Sequence, residues 1–267
     1  MVNPDTETPV LCWHHDHTPE PLHAALWTLG EEYPLREAAG AGLNLRFIPI
    51  DDPEYCVVER HGNDAVIQYG NIPLALRGLS TLMVGLGDGE VQEERCAVTT
   101  VGMMLDCARN AVLTVTHLKR WLRRLALLGY NQVMLYLEDV FELPGEPCFG
   151  YQRGRYTLDE LREIDDYAAR LGIEVVGGIQ TLGHARQFLR WPAYRELADT
   201  EHVMLAGEEK TYAFIEKMIA QMRAAFRSRR LHIGMDEAFG VGRGKYQDLH
   251  GVRPPFDIFT EHLDRVT

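Results

Sequence analysis

The sequence predicts an α/β chain in two parts: a small α+β domain over residues 1–95, then the first four β/α units of a (β/α)8 TIM barrel over 96–267. Three observations point there. From about Val98, short apolar runs alternate with amphipathic stretches long enough to be crossover helices. Each of the four apolar runs is followed closely by a residue capable of chemistry. The first ninety-five residues are patterned differently, as short β-prone pieces cut by turn signals.

In the N-terminal part, Leu43–Ile50, Tyr55–Arg60 and Ala65–Tyr69 read as strands, separated by Asp-Asp-Pro and His-Gly-Asn-Asp turns. Pro73 to about Met83 reads as a helix, and Gly85-Leu-Gly-Asp-Gly-Glu as a turn or linker. The cluster Trp13-His-His-Asp-His17 reads as a solvated surface segment.

The barrel part begins with the apolar run Val101–Leu105. Thr116–Leu128 has Leu118, Trp121, Leu122, Leu125 and Leu128 at helical spacing, with Gly129 as the stop. Gln132–Leu137 is the next strand. Thr157-Leu-Asp-Glu160 is a capping box, in which the first and last side chains reciprocally bond the free N–H groups of a helix start; it opens a helix to Leu171, stopped by Gly172. Ile173–Ile179 is the third strand. A long connection and a helix over Lys210–Phe226 lead to the fourth, Leu231–Met235, and Phe256–Val266 is the helix beyond it. Four such units make half of a barrel or a small doubly wound sheet. No G-x-G-x-x-G follows the first run, which weakens a dinucleotide-binding reading. Asp106 and Arg109, Glu138 and Asp139, His184, then Asp236 and Glu237 all fall just past strand C-termini, the active face of a barrel, and this regularity favours the barrel.

The chain is 46% hydrophobic and 25% charged, ordinary globular proportions. Its net charge of −12, with no basic run to offset it, argues against nucleic-acid and anionic-membrane partners. No basic-then-apolar leader and no 18-residue apolar run are visible, and the five scattered cysteines contain no C-x-x-C. These features lead to the expectation of a cytoplasmic protein with reduced thiols.

Asp236 and Glu237 are the most informative pair. Adjacent carboxylates at the mouth of a buried strand can have their proton affinities pushed apart, one ionised and one protonated, as glycosidic hydrolysis requires. Arg109 can offer a fork of donors to sugar hydroxyls, or pair with Asp106. His184, with Asp139 one strand away, can form a carboxylate–histidine relay toward Glu237. Trp191 and Tyr194 could stack on a sugar or pack inside. His184, His232, Asp236 and Glu237 lack the spacing of a metal-ligand motif, so neither a metal nor a cofactor is expected.

His232-Ile-Gly-Met-Asp-Glu237 resembles the signature of the family 20 glycoside hydrolases, the β-N-acetylhexosaminidases. Leu105-Asp-Cys-Ala-Arg-Asn110, Leu135-Tyr-Leu-Glu-Asp139, Phe149–Tyr156, Gln180-Thr-Leu-Gly-His184 and Ala238–Tyr246 look similar to a cytoplasmic bacterial subgroup acting on terminal GlcNAc and GalNAc. The resemblance implies that Glu237 is the general acid/base and Asp236 orients the substrate's own 2-acetamido group. The acetamido oxygen then attacks the anomeric carbon to give an oxazolinium intermediate. It implies that Arg109 clamps sugar hydroxyls and that Asp139 and His184 support the acid. The implied partner is a terminal N-acetylhexosamine of an oligosaccharide or glycoconjugate. Because the family's barrel has eight strands, the chain is expected to be a fragment. Its open barrel edge is expected to allow self-association, and a non-catalytic carbohydrate-binding or assembly module is the alternative.

Overall fold

The computed structural model describes residues 9–38, 42–109 and 111–267. Asn110 and the first eight residues, on which the leader reading rests, lie outside them. The chain divides into two compact units. One comprises Met1–Met103, Thr116–Val133 and Asp166–Glu174, the other Met104–Val115, Met134–Asp165 and Val175–Thr267.

The N-terminal region starts with β1 (Leu11–Trp13), α1 (Glu20–Gly30), β2 (Leu35–Glu37) and β3 (Leu43–Pro49). It continues with β4 (Tyr55–His61), β5 (Asp64–Tyr69), α2 (Ile72–Val84) and β6 (Val91–Arg95). The six strands form one sheet in the order β2-β1-β3-β5-β4-β6. β4 runs antiparallel to both β5 and β6, whereas β1 pairs in parallel with β2 and β3. Alternation explains the registers: Leu43, Leu45 and Phe47 of β3 are buried, as are Ala65, Ile67 and Tyr69 of β5. α2 starts where the Asn71 side chain accepts the Leu74 N–H at 3.0 Å. It packs closely because Gly78 faces Ile67; a Cβ there would stand 2.8 Å from Ile67 Cγ2. Trp13 corrects the solvated reading of its segment. It is 1% exposed in β1, and only His14 and the 3-10 turn it caps, His15–His17, face solvent.

The remaining elements are β7 (Gly102–Asp106), α3 (Val115–Leu127), β8 (Gln132–Tyr136), α4 (Leu158–Arg170) and β9 (Glu174–Gly178). After them come α5 (Arg186–Leu189), α6 (Glu209–Ala225), β10 (Leu231–His232), α7 (Lys245–His250) and α8 (Pro255–Val266). The four strands form a sheet in the order β10-β9-β8-β7, with Leu231 opposite Gly177 in the parallel β9–β10 pair. This is the α/β arrangement expected of a partial barrel. The capping box is present: Thr157 Oγ1 accepts the Glu160 N–H at 3.1 Å, and Glu160 accepts the Thr157 N–H at 2.8 Å. β10 is shorter than Leu231–Met235. It sits at the sheet edge with a neighbour on one side, and Gly234 at φ +51° turns the chain out of extended geometry. No helix of the described residues is long and apolar enough to cross a membrane.

α8 is tied down by a buried histidine. His262 is fully buried; its Nε2 lies 3.0 Å from the Thr181 carbonyl and its Nδ1 3.2 Å from the Tyr212 hydroxyl. A neutral ring satisfies both contacts, donating from Nε2 to the carbonyl and accepting the hydroxyl proton at Nδ1. Burial, reinforced by Arg265 against the Thr181 bond, pushes its pKa down from 6.5 to about 4. Between those values the unfolded chain takes up a proton that the folded chain refuses. Stability is therefore full above pH 6.5 and falls as pH drops toward 4, by on the order of 3 kcal/mol. Urea denaturation at pH 7.5, 5.5 and 4.5 should show this fall, and His262→Gln should flatten it.

Candidate active site

Every candidate residue lies in the second unit, at or just past the C-terminal end of a strand. After β7, the Asp106 carboxylate accepts the N–H groups of Ala108 and Arg109, both at 3.0 Å, folding the backbone into a tight turn. That turn projects Arg109 across the strand ends. Its guanidinium lies 4.6 Å from the centre of the Tyr136 ring and donates from Nη2 to the Tyr136 hydroxyl at 3.1 Å. It also contacts Asp106 at 3.4 Å and Glu138 at 3.7 Å. Arg109 thus pairs with Asp106 and also lies against Tyr136 and Glu138.

Three strand-end residues adopt left-handed backbone without being glycine: Glu138 (φ 45°), His184 (φ 52°) and Glu237 (φ 49°). Such conformations cost on the order of 1–2 kcal/mol each and persist where surrounding structure enforces them, commonly at functional sites. The enforcement is visible at Gly183 and Gly234. A Cβ on Gly183 would stand 2.3 Å from the Asp236 carbonyl, and one on Gly234 2.4 Å from the Ile179 carbonyl. The loops after β9 and β10 therefore press together backbone to backbone, a fit only glycine allows.

This closeness brings His184 to both acids. Its Nε2 is 3.2 Å from Asp236 Oδ2 and 3.5 Å from Glu237 Oε2. Asp236 also accepts a hydrogen bond at 3.0 Å from Gln180 Nε2, which donates to the Tyr136 hydroxyl at 2.9 Å as well. The Tyr136 hydroxyl in turn donates to Glu138 Oε1 at 3.1 Å. Partial burial works against ionisation of Asp236, but the bonds from Gln180, its own N–H and His184 outweigh it and hold the carboxyl below its ordinary value. Asp236 is therefore an ionised carboxylate aimed by an amide and an imidazole.

Asp139 stands apart from that cluster. It is 1% exposed and its ion-pair partner is Arg153, 2.9 Å away, which also donates to the Ala108 carbonyl at 2.6 Å. The contacts of His184 go to Asp236 and Glu237, and Asp139 is taken up by Arg153, so the expected Asp139–His184 relay does not form among the described residues. Burial raises the carboxyls of both Glu138 and Asp139, against the pull of Arg109 and Arg153. Tyr194 is buried against Phe188 and Phe214, which settles its role as packing. Trp191 meets Tyr151 edge to face at 5.6 Å. Among the described residues no group of three or more His, Cys, Asp or Glu could hold a metal.

Tyr136 and Gln180 are the residues that sequence reading passed over. Both stand inside the quoted motifs, but nothing in their spacing signals that one hydroxyl and one amide connect Arg109, Glu138 and Asp236.

Residues 101–250 match the family described as glycosyl hydrolase family 20, catalytic domain. A beta-hexosaminidase of Vibrio furnissii is 29% identical over 173 residues, covering 51% of this chain and 28% of that protein. Human hexosaminidase D is 30% identical over 122 residues, 44% of this chain and 25% of that protein. The chain thus spans between a quarter and a third of the lengths of these relatives. Among solved structures, a family 20 exo-β-N-acetylglucosaminidase from Vibrio harveyi in complex with N-acetylglucosamine superposes with a TM-score of 0.75 at 19% identity. That superposition covers 98% of this chain and 50% of that one. A β-N-acetylhexosaminidase from Streptomyces coelicolor A3(2) superposes with a TM-score of 0.73 at 20% identity, over 98% and 61% of the two chains. These likenesses establish the shared fold.

Proposed function

The chain belongs to glycosyl hydrolase family 20, and from that premise we propose that its protein is an exo-acting β-N-acetylhexosaminidase that removes terminal non-reducing GlcNAc or GalNAc with retention of configuration. The observation that carries this reading is the convergence of Asp236 and Glu237 on one nitrogen of His184, at 3.2 and 3.5 Å. Carboxylates held that way are crowded onto one side of the site. In an inverting mechanism they would stand roughly 6.5–9.5 Å apart to admit a water between them and the sugar. Adjacent acids serve better when the nucleophile comes from the substrate.

In this mechanism Glu237 gives its proton to the glycosidic oxygen as the C1–O bond breaks. The oxygen of the substrate's own acetamido group attacks C1 from the opposite face, closing an oxazolinium ring. Asp236, ionised, receives the acetamido N–H and stabilises the positive charge that develops there. Water then adds to C1, losing its proton to Glu237, and the ring reopens to the free N-acetylhexosamine. Arg109, fixed over the Tyr136 ring with a face still open to solvent, offers donors to sugar hydroxyls. His184 supports the two acids directly, whereas Asp139 anchors Arg153, which holds the Ala108 carbonyl beside Arg109.

A chromogenic 4-nitrophenyl N-acetyl-β-glucosaminide tests the reading. Hydrolysis is expected, while the glucoside with a 2-hydroxyl in place of the acetamido group should be turned over at least ~10³-fold more slowly, because an intramolecular nucleophile has been removed. Equal rates on both would reject it. A second reading, a non-catalytic module that self-associates, is favoured by one observation. Phe239 (81% exposed) and Phe256 (77% exposed) border an apolar groove of about 650 Å3 beside the two acids. Such a module would be indifferent to the loss of the Glu237 proton.

A further inference from the structure

The segment between Glu237 and α7 has no regular structure, yet it is pinned at one point. Asp199 lies in the connection between α5 and α6 and is 6% exposed. Its carboxylate accepts three backbone N–H groups of that segment: Gly242 at 2.6 Å, Tyr246 at 2.8 Å and Gly244 at 3.2 Å. Its carbonyl accepts a fourth, from Lys245, at 3.0 Å, and its own N–H is fixed on the Val203 carbonyl at 2.9 Å. The approach is close enough that a Cβ on Gly244 would stand 1.9 Å from the Asp199 carbonyl oxygen. Hydrogen bonds from backbone N–H to a carboxylate are roughly twice as strong as neutral ones, and here several act together.

The pinned point is connected to Glu237 by consecutive turns. Phe239 N donates to the Glu237 carbonyl at 2.7 Å, Val241 N to Ala238 at 3.1 Å and Arg243 N to Gly240 at 3.0 Å. Slack at Gly242 is therefore passed back to residue 237. Glu237 itself has the left-handed backbone, φ 49°, that a non-glycine residue keeps only under external restraint. Gly183 restrains the strand side, through the Asp236 carbonyl. Downstream restraint comes from the Asp199 carboxylate.

We infer that Asp199 is a positioning residue: its carboxylate latches the 237–246 loop and thereby fixes the backbone, and so the aim, of the Glu237 carboxyl. The effect on catalysis rests on Glu237 being the proton donor; the effect on the loop does not, and the two are measured separately. Asp199→Asn keeps the side chain's shape but turns one acceptor oxygen into an amide that meets N–H groups head on. Gly244→Ala disturbs the same latch from the other side and serves if the first variant folds poorly. Ile164→Val, a buried change on α4, is the control for general loss of stability.

In both latch variants, hydrogen exchange of the amides at 237–239 should quicken about tenfold or more, and in Ile164→Val it should stay at the wild-type rate. On the chromogenic substrate, kcat should fall on the order of 10–100-fold with KM changed by less than about threefold, the split expected when the reacting group is misaimed. Wild-type exchange at 237–239 in Asp199→Asn and Gly244→Ala would overturn the latch, as would a kcat loss equally present in Ile164→Val. If the wild-type protein hydrolyses nothing, the enzymatic reading fails, and exchange at 237–239 alone decides whether the latch exists.

Discussion

Glu237→Gln is expected to lower kcat on an N-acetyl-β-glucosaminide by on the order of 10²–10⁴-fold, the usual contribution of a positioned general acid. Glutamine keeps the size of the side chain and can still meet His184, 3.5 Å away in the native protein, but it has no proton to deliver. KM should change little, since the lost interaction belongs to the transition state. The loss should also depend on the leaving group. A 4-nitrophenolate departs with little help, whereas an alkoxide needs the proton, so a methyl glycoside should lose more than the nitrophenyl one. Steady-state kinetics on the two glycosides measure this. Equal losses would assign Glu237 a role other than proton transfer.

Asp236→Asn is expected to cost on the order of 10²–10³-fold in kcat, the scale seen when a preorganised electrostatic partner of a developing charge is removed. Asparagine is the informative substitution because it preserves shape. It can still accept from Gln180, which stands 3.0 Å from Asp236. What it loses, in the proposed mechanism, is the negative charge opposite the forming oxazolinium. Because the native carboxyl is held below its ordinary value by Gln180, its own N–H and His184, Asp236 stays ionised at all pH values above the usual carboxylate range. The wild-type/variant ratio of kcat should then be flat from about pH 5 to 8. A ratio that changes tenfold across that window would mean that Asp236 itself titrates there and is not the fixed charge. In the proposed mechanism the two acids act on one event, so the double variant should fall far short of the product of the single losses.

Much of the fold is legible in the sequence. The barrel strands and helices follow from apolar runs and helical periodicity, and the Thr157–Glu160 box is written in four consecutive residues. α1 went unread because Leu22, Ala25, Leu26 and Leu29 face inward while Trp27 and a histidine also interrupt the outer face, blurring the stripe. β6 went unread because its Gln92, Glu93, Glu94 and Arg95 look like a solvated turn; they are an edge strand paired with β4. At the site, Asp236, Glu237, His184 and Arg109 were legible as chemical residue types placed after strands. The connections between them were not. Gln180 meets Asp236 across 56 residues and Tyr136 across 44, and Asp199 meets Gly242 across 43. Spacing of that length carries no local signal. The left-handed backbones of Glu138, His184 and Glu237 were equally hidden, since only glycine advertises that conformation in a sequence.

In the proposed mechanism the substrate, not a protein carboxylate, supplies the nucleophile beside Asp236 and Glu237. That claim is tested most directly by kcat on a series of 4-nitrophenyl β-glucosaminides whose N-acetyl group carries zero, one, two or three fluorines. Each fluorine withdraws electron density from the acetamido oxygen and leaves the glycosidic bond nearly unchanged. A stepwise fall in kcat across the series is expected, and a kcat indifferent to fluorine would contradict it.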